Sequence, residues 1–450
     1  MLKPHHRPRS SLVGRVIAIV CALGLASAVV PTAANAATTP PISITSLTAN
    51  TTSGTVDTTF VFTVTTNVPA FFVEMKTSDP GELGAYIDNA GNTNAPGSTV
   101  NSAKTVWTFK LMLKPGTRVL TFVTYETFTS ASRSLAVTVK GMLLVGIGES
   151  FGSGEGNPPF NDGTTKCHRS AKAFTRLLDA DTSLAVPLAI PGNGYIDGFQ
   201  DCTGAVTANV LGSVNNPGVP QEKTKIGILQ FGPEVQKLIG NYPTLVVMTM
   251  GGNDIGYDPY MECLVLSMGK NSDISCEPKI LGLTPGQTGT ELFDDNVSLT
   301  KGVPASQGSL RARLGNTYSA MLDAKPNIKI LVVGYPQLVK NEPNVNVCGP
   351  VSGTRGRLFN LNVSLNSKVS LAVADSASKP GHAGRIFFVN PNAAGSPWVG
   401  HDLCSSNPYF NKLILFPSVA YSYHPNEDGH KAYESVIASW IAGHVADLNK

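Results

Sequence analysis

The sequence predicts an α/β domain with a parallel sheet, preceded by a small all-β domain, and two observations lead to this prediction. From Ile42 to Val139 the chain is rich in Thr, Val, Ser and Phe, and short alternating segments are separated by turn signals. After Lys140 short apolar runs alternate with longer segments of helical periodicity. The first pattern is typical of a β-sandwich, and the second is typical of a parallel sheet with helices on both faces.

The N-terminal residues have the features of a secretory signal peptide. Four basic residues accompany an apolar stretch from Leu12 to Val30, and a small-residue cleavage site ends at Ala36. We therefore predict a leader over residues 1–36 and a secreted, extracellular protein. The alternative is an uncleaved anchor, which is disfavoured because Arg15 interrupts the apolar stretch. No later stretch is long and apolar enough for a stable membrane span.

The charge balance bears on the class of partner. The full chain carries 34 Lys and Arg residues and 31 Asp and Glu residues. Four of the basic residues and none of the acidic ones lie in the predicted leader, so the rest carries 30 against 31, a net charge of about −1. Such a balance gives no electrostatic basis for binding a nucleic acid.

Residues 37–140 are predicted to form the all-β domain. Several of its segments alternate, and the turn signals include Pro115-Gly116. The pattern resembles that of a bacterial immunoglobulin-like module. The predicted strands are Ile42–Leu47, Phe60–Thr65, Phe71–Lys76, Thr105–Leu113, Arg118–Tyr125 and Leu135–Lys140.

Residues 141–450 are predicted to form the α/β domain, because buried parallel strands are short continuous apolar runs. The predicted strands are Met142–Gly146, Leu184–Ile190, Thr244–Met250, Ile328–Val333 and Arg385–Val389. The predicted helices are Ser170–Asp179, Pro233–Gly240, Gly308–Ala324, Gly356–Ala377 and a last one from Asp428 to about Val445.

Four short polar segments stand at the ends of these elements. Ser150 follows the first strand in a glycine-rich turn, and Asn253 follows the strand that ends at Met250. Gly204 lies in an Asp-Cys-Thr-Gly-Ala turn, and His424 precedes the last helix. Because open α/β sheets bind ligands at the carboxyl ends of their strands, these residues are expected to meet there.

The chemistry that suits these residue types is acyl transfer. The Ser150 hydroxyl needs a base to become a nucleophile, and neutral His424 is the candidate. The tetrahedral intermediate needs donors aimed at its oxyanion. The main-chain N–H groups of Ser150 and Gly204 and the side-chain amide of Asn253 are the candidate donors.

Taken together, the four segments resemble those of the SGNH (GDSL) hydrolases, a family named for its Ser, Gly, Asn and His blocks. The segments Cys167-His-Arg-Ser and Val333-Gly-Tyr-Pro resemble the secreted actinobacterial lipase/esterase branch. The resemblance implies a three-layer α/β/α fold of flavodoxin-like type. It also implies a catalytic Ser150 and His424, with Ser150, Gly204 and Asn253 forming the oxyanion hole.

The sequence departs from the family pattern in two places. Glu149 stands where the family usually has Asp, and we expect adjusted packing without lost function. Tyr421 stands where the family has the acid of a Ser-His-Asp triad. We therefore predict a Ser150–His424 dyad, with a main-chain carbonyl in the segment Ser418 to Ser422 orienting the imidazole.

Six cysteines follow the leader, and an even number in a secreted chain predicts disulfides. Metal binding is the alternative, but no pair has C-x-x-C spacing, so neither a metal nor another cofactor is predicted. Six cysteines can pair in fifteen ways, and their order along the chain does not select one of them. The family resemblance favours the three pairs Cys167–Cys202, Cys263–Cys276 and Cys348–Cys404.

We predict a secreted serine esterase or lipase that acts on a lipid or an acylated small molecule. One alternative is a carbohydrate acetyl esterase whose β-sandwich contacts a glycan or the cell wall, and another is a catalytically inactive binding or adhesion protein. The Gly148-Glu-Ser-Phe-Gly152 segment also matches the nucleophile elbow of α/β-hydrolases. That fold needs β-α units before the elbow, and residues 37–140 do not supply them.

Overall fold

The computed structural model describes residues 40–55, 58–78, 84–127, 129–160, 166–189, 197–211, 229–256, 309–340 and 355–448. The predicted leader lies outside these residues. Within the described ranges, no helix is long and apolar enough to cross a bilayer.

The first part of the described chain is entirely β. Two sheets form, with strand orders β1-β3-β7-β6 and β2-β9-β8-β4-β5, and all pairs are antiparallel except β2 with β9. The strands are β1 (Ile44–Ala49), β2 (Ser53–Thr55), β3 (Thr59–Thr66), β4 (Phe72–Thr77), β5 (Ala85–Asp88), β6 (Thr99–Val100), β7 (Val106–Met112), β8 (Gly116–Tyr125) and β9 (Ser130–Lys140).

Aromatic side chains from both sheets meet in one hydrophobic core. Along β3 every second residue is buried, as expected for a strand with one face on a core. The Phe122 ring of the second sheet lies 5.3 Å from the rings of both Phe62 and Phe109 of the first. The two sheets therefore pack face to face.

The second part alternates strands and helices, as predicted. Its strands are β10 (Leu143–Gly148), β11 (Thr244–Thr249), β12 (Ile328–Val333) and β13 (Ile386–Val389). Its helices are α1 (Ser150–Ser153), α2 (Phe174–Ala180), α3 (Ala208–Leu211), α4 (Pro233–Ile239), α5 (Leu310–Ala324), α6 (Arg355–Ala377), α7 (Glu427–Gly443) and α8 (Val445–Leu448).

Strands β10 to β13 form a parallel sheet in sequential order. Every residue of β10, β11 and β12 is buried, which explains why these strands appear in the sequence as continuous apolar runs. The predicted parallel sheet is confirmed.

The predicted strand Leu184–Ile190 is wrong as an element, although part of it pairs where a strand would. Within the described residues it contributes one parallel bridge, from Leu188 to Leu144 of β10, and Phe199 bridges Gly146 farther along. A short 3-10 helix at Thr182–Leu184 includes its first residue, Leu184. The bridges lie on the side of β10 away from β11, so within the described residues the pairing order is 2-1-3-4-5, with the first position reduced to isolated bridges.

Two pairs of the longer helices pack against each other. Helix α2 contacts α7, and α5 contacts α6. In the first pair the rings of Phe174 and Tyr433 lie 5.1 Å apart. The switch point of a 2-1-3-4-5 sheet is between β10 and β11, and ligands bind at such points because the loops there diverge. Ser150 and Asn253 directly follow these two strands.

Candidate active site

Ser150 is the first residue of the one-turn helix α1. The strand before it ends at Gly148, and Glu149 is the extended residue that leads into the helix. The Ser150 side chain is buried. Since the first amides of a helix have no partner within it, the Ser150 N–H is free, and no acceptor for it occurs in the described part of the chain.

The glycines around Ser150 are required by a buried carboxylate beneath the turn. A Cβ atom on Gly152 would lie 1.9 Å from Asp201 Oδ1, and one on Gly146 would lie 2.4 Å from Asp201 Oδ2. A Cβ on Gly148 would lie 2.5 Å from Oδ1. The Asp201 carboxyl thus fills the space left by three missing side chains, and the turn closes onto it.

Burial dominates the ionisation of Asp201. It raises the pKa of this carboxyl to about 7, against the opposing charge of Arg169. The contact from Thr175 Oγ1 to Oδ2 is long, at 3.4 Å, and Oδ1 has no hydrogen-bond partner among the described residues. Among the described residues, the contacts that favour the anion are therefore outweighed by burial.

His424 is brought to Ser150 from the far end of the chain. Its Nε2 atom lies 2.8 Å from Ser150 Oγ, and both side chains are buried. Its Nδ1 atom lies 3.2 Å from the main-chain oxygen of Ser422. A proton on Nδ1 donates to that carbonyl and leaves Nε2 unprotonated and able to accept the Ser150 proton.

The loop that carries His424 is closed at its base by Asn411. The Asn411 N–H donates to His424 O at 2.8 Å, and the Tyr423 N–H donates to Asn411 O at 2.9 Å. The Asn411 side chain donates to Gly156 O at 3.3 Å and to Tyr421 O at 3.2 Å. One asparagine therefore joins the Ser150 segment to the His424 segment.

The residues after His424 start helix α7. Asn426 is the N-cap of α7, and its side chain accepts from Gly429 N at 3.0 Å. A Cβ on Gly429 would lie 2.3 Å from Tyr409 O, so only glycine fits there. The His-Pro-Asn-x-x-Gly spacing thus sets where the helix begins and how closely it packs, which fixes the direction of His424.

Gly204 lies in a turn tied to the strand of the nucleophile. The predicted disulfide Cys167–Cys202 is present, and Cys202 N donates to Gly148 O at 3.0 Å. Gly204 has a φ of +77°, which favours glycine, and it is exposed. Its N–H donates to no acceptor in the ranges that the structure describes.

Three of the four cysteines of the other two predicted disulfides lie outside the described residues. These are Cys263, Cys276 and Cys348. Cys404 is described and is disulfide-bonded.

Asn253 follows β11 in a short 3-10 helix, Asn253–Ile255. Its side-chain Nδ2 donates to Ala205 O, next to Gly204, at 3.2 Å. This bond uses one of the two amide protons and leaves the second for a ligand. Asp254 turns away from this group, because its carboxylate accepts from Thr207 Oγ1 at 2.7 Å.

Glu149 joins the nucleophile turn to the loops after β11 and β12. Its carboxylate accepts from Asn253 N at 2.8 Å and from the Tyr335 hydroxyl. Tyr335 Oη in turn accepts from Gly252 N at 3.0 Å. Burial, followed by the charge of Glu149, raises the pKa of the Tyr335 hydroxyl, which therefore stays a donor. Glu149, which stands where the family usually has Asp, therefore links these loops structurally.

Glu155, five residues after Ser150, is a second buried carboxylate near the histidine. His168 Nδ1 lies 2.7 Å from its Oε2 atom, and the His168 ring stacks on Phe160 at 4.6 Å. Burial raises the pKa of Glu155, but the His168 hydrogen bond and the positive charge available on His424 outweigh it, so the net pKa falls below its ordinary value. Glu155 therefore places a negative charge near His424.

The C-terminal region holds further histidines and carboxylates. His430 is buried against Phe174, and burial lowers its pKa to about 3. His401 stacks on Tyr409 with 3.7 Å between the ring centroids. Glu427 and Asp428 face solvent, where both contact Lys431.

Sequence reasoning missed three residues of this site, namely Asp201, Glu155 and Tyr335. Asp201 lies in the Asp-Cys-Thr-Gly-Ala turn and Tyr335 in the Val333-Gly-Tyr-Pro segment, but no local pattern marks their side chains as buried. Glu155 stands between two glycines, and such spacing is the signal that could have drawn attention to it. In the described ranges, no three His, Cys, Asp or Glu side chains form a group that could hold a metal ion.

Comparison with known proteins finds sequence relatives among curated lipases. The chain is 26% identical over 285 residues to Lipase 1 of Streptomyces coelicolor, which covers 63% of this chain and 81% of that protein. It is 23% identical over 313 residues to a lipase of Streptomyces rimosus, covering 69% of this chain and 91% of that protein. No family model matches the chain. The two relatives confirm the resemblance to SGNH-type actinobacterial lipases and esterases.

Similar solved structures come from the same genus. The extracellular lipase of S. rimosus is 22% identical, with a TM-score of 0.47, and the match covers 66% of this chain and 99% of that one. Phospholipase A1 of Streptomyces albidoflavus is 24% identical, with a TM-score of 0.47, and the match covers 67% and 99%.

Proposed function

We propose that this chain is a secreted serine esterase or lipase in which Ser150 is the nucleophile and His424 is the base. The class, a carboxylic ester hydrolase, is confirmed by the two curated relatives named as lipases. The residue roles rest mainly on one observation, the 2.8 Å contact from His424 Nε2 to Ser150 Oγ.

The proposed reaction has two steps. Ser150 Oγ attacks the ester carbonyl carbon while its proton passes to His424 Nε2. The oxyanion accepts hydrogen bonds from the N–H groups of Ser150 and Gly204 and from the free amide proton of Asn253. The intermediate collapses to an acyl-Ser150 ester, and the alcohol leaves with the proton from His424. Water then attacks the acyl-Ser150 ester with His424 again acting as base. The carboxylic acid is released and Ser150 regains its proton.

The charge that forms on His424 during each step has two supports. The Ser422 carbonyl accepts from Nδ1 and supplies a dipole at 3.2 Å. Glu155 supplies a full negative charge through space, and His168 keeps it ionised. We infer that the Ser422 carbonyl sets the tautomer and that Glu155 replaces part of the charge of the missing triad acid.

A chromogenic short-chain ester and a fluorescent alkyl phosphonate test this assignment. We expect turnover at neutral or mildly alkaline pH and a single phosphonate adduct on Ser150. The Ser150→Ala variant is the control and should take up no label. Turnover with the label on another residue would refute the assignment of the nucleophile, and absence of turnover would count against the enzyme class.

We further propose that residues 37–140 form an immunoglobulin-like accessory domain, joined at Lys140 to the catalytic domain of residues 141–450, and that this accessory domain contacts a glycan. Its second sheet has aromatic rings on the outer face, with Phe72 5.6 Å from Tyr86 and 5.8 Å from Tyr125. Glu74 lies beside them and accepts from the Tyr125 hydroxyl at 2.5 Å. A sugar has an apolar ring face and polar hydroxyl groups. Aromatic rings next to polar groups can contact both.

Pull-down with insoluble cell-wall polysaccharide tests the accessory role. The Tyr86→Ser variant should bind less than the parent, while Met112→Ser, on a strand of the other sheet, should bind equally well. Equal binding by Tyr86→Ser would exclude this face as the contact.

A further inference from the structure

A short apolar loop lies directly before the histidine segment, and it carries an unusual concentration of exposed hydrophobic side chains. We define this apolar loop as Lys412 to Pro417. The exposed fractions are 37% for Leu413, 70% for Leu415 and 89% for Phe416. Elsewhere in the described residues, large exposed hydrophobic side chains are not grouped so closely along the chain. A grouped, exposed apolar tip marks an interaction surface.

The apolar loop is held at its base by the residue that also contacts His424, namely Ser422. Ile414 N donates to Ser422 Oγ at 2.8 Å, and Ser422 Oγ donates to Ile414 O at 3.1 Å. The main-chain oxygen of Ser422 is the acceptor for His424 Nδ1. One serine therefore contacts the loop through its side chain and the proposed base through its main chain.

The size of the tip indicates which occupant it fits. A stable protein–protein interface buries about 800 Å² on each partner, and three side chains of this kind supply only a few hundred Å². The tip is therefore too small for a stable interface with a second copy of the chain. A lipid surface needs no matching partner patch, because apolar side chains insert singly among acyl chains.

The charge of the segment favours the same occupant. Between Asn411 and Ser422 the charged side chain is Lys412, which is exposed, and this segment has no Asp or Glu. A cation beside apolar side chains suits an interface with anionic head groups.

From these observations, we propose that the apolar loop inserts into the surface of aggregated lipid and brings the Ser150–His424 site to esters presented there. This inference rests on the proposed function and adds to it the physical form of the substrate. The loop projects from the segment that carries the base, so insertion would place the lipid next to the site.

Two measurements on the full chain test the proposal. The first is co-sedimentation with vesicles of phosphatidylcholine and phosphatidylglycerol, measured in a Ser150→Ala background so that the lipid is not consumed. The second is the ratio of activity on an emulsified long-chain ester to activity on a dissolved short-chain ester. The test variant is Leu415→Ser/Phe416→Ser, and the matched control is Met112→Ser, which removes a side chain of 69% exposure from the β-sandwich.

We expect the double variant to bind vesicles at least roughly tenfold more weakly, because each substitution reduces the apolar protein surface that is buried in the lipid. The ratio of activities on the emulsified and dissolved esters should fall by a similar factor. Met112→Ser should match the parent in both measurements. Unchanged vesicle binding, or equal loss on both esters, would overturn the proposal. A dimer that the double variant abolishes, without vesicle binding by the parent, would assign the loop to a second copy instead.

The design separates this inference from the proposed function. If the parent hydrolysed neither ester, the proposed function would fail, while vesicle binding by the Ser150→Ala chain would still decide the role of the loop.

Discussion

Asp201 and Glu155 are buried carboxylates close to the chain around Ser150, and their surroundings give them opposite charge preferences. Asp201 fills the space beneath the turn, and burial raises its pKa to about 7. Glu155 is as inaccessible as Asp201, yet its pKa falls below the ordinary value because His168 and His424 favour the anion. Burial alone therefore does not determine the charge of a carboxyl group near a nucleophile, since the partners within hydrogen-bond reach decide it.

The difference assigns the two residues different roles. Asp201 is neutral over part of the working pH range, and it fills space and shapes the turn. Glu155 stays ionised and can act electrostatically on the His424 imidazole. A substitution of Asp201 should therefore change mainly the stability of the fold. A substitution of Glu155 should change mainly turnover.

The largest expected effect concerns the imidazole on which Glu155 would act. His424→Ala, like Ser150→Ala, should lower kcat by roughly a thousandfold or more, because proton transfer and nucleophilic attack form one unit. Steady-state assays on a dissolved ester measure this loss, and circular dichroism checks the fold. If either variant kept a tenth of the parent's activity, Glu155 would have no catalytic imidazole to support.

Asp201→Asn should change the pH dependence of stability. The folded state keeps the Asp201 proton up to about pH 7, whereas the unfolded chain loses it near the ordinary value of 3.8, so unfolding becomes easier as pH rises through this window. The amide cannot ionise and is free of this penalty. Relative to the parent, the variant should gain roughly 2 to 3 kcal/mol between about pH 5 and about pH 8.

Urea unfolding at the two pH values measures that gain. Glu149→Gln is a useful contrast, because Glu149 accepts hydrogen bonds from Asn253 and Tyr335 and its loss should destabilise at both pH values. A stability difference between Asp201→Asn and the parent that does not vary with pH would show that Asp201 is ionised in the folded protein throughout.

Glu155→Gln should lower kcat by about tenfold with KM little changed, because the imidazolium loses a stabilising charge only in the transition state. Steady-state assays separate kcat from KM, and circular dichroism checks the fold. A kcat equal to the parent's, or a loss that appears only with a disrupted fold, would point to a structural role for the Glu155–His168 contact.

The smallest effect is expected at the exposed carboxylates after His424. Glu427→Gln and Asp428→Asn should each leave kcat within about twofold, since exposed charges paired with lysines act weakly on a buried group. These variants match Glu155→Gln in chemistry but differ in burial. A drop of a hundredfold or more in either would mean that a carboxylate completes a triad.

The sequence by itself predicted the elements whose signal is local. Buried parallel strands appear as apolar runs, and the predicted Ile328–Val333 matches β12 at both ends. Caps and glycines mark helix starts, so α7 was placed within a residue of its first position. The order of Ser150, Gly204, Asn253 and His424 is also a property of the chain itself. Because parallel strands gather their carboxyl ends at one edge, this order was enough to predict a shared site.

Other features depended on distant parts of the chain. The edge segment near Leu188 has the apolar character of a strand, but it forms only a bridge with β10. The segment Ser418 to Ser422 was named for the orienting carbonyl, whereas the choice of Ser422 depends on how Asn411 closes the loop.

The charge states beside Ser150 were likewise decided only by the tertiary structure. In the sequence Asp201 and Glu155 are two acidic residues near glycines, with the same ordinary chemistry. Folding gives Glu155 an imidazole at 2.7 Å and leaves Asp201 Oδ1 without a partner among the described residues. Because a pKa responds to groups within a few ångströms, regardless of their separation along the chain, this difference follows from the packing and not from local sequence.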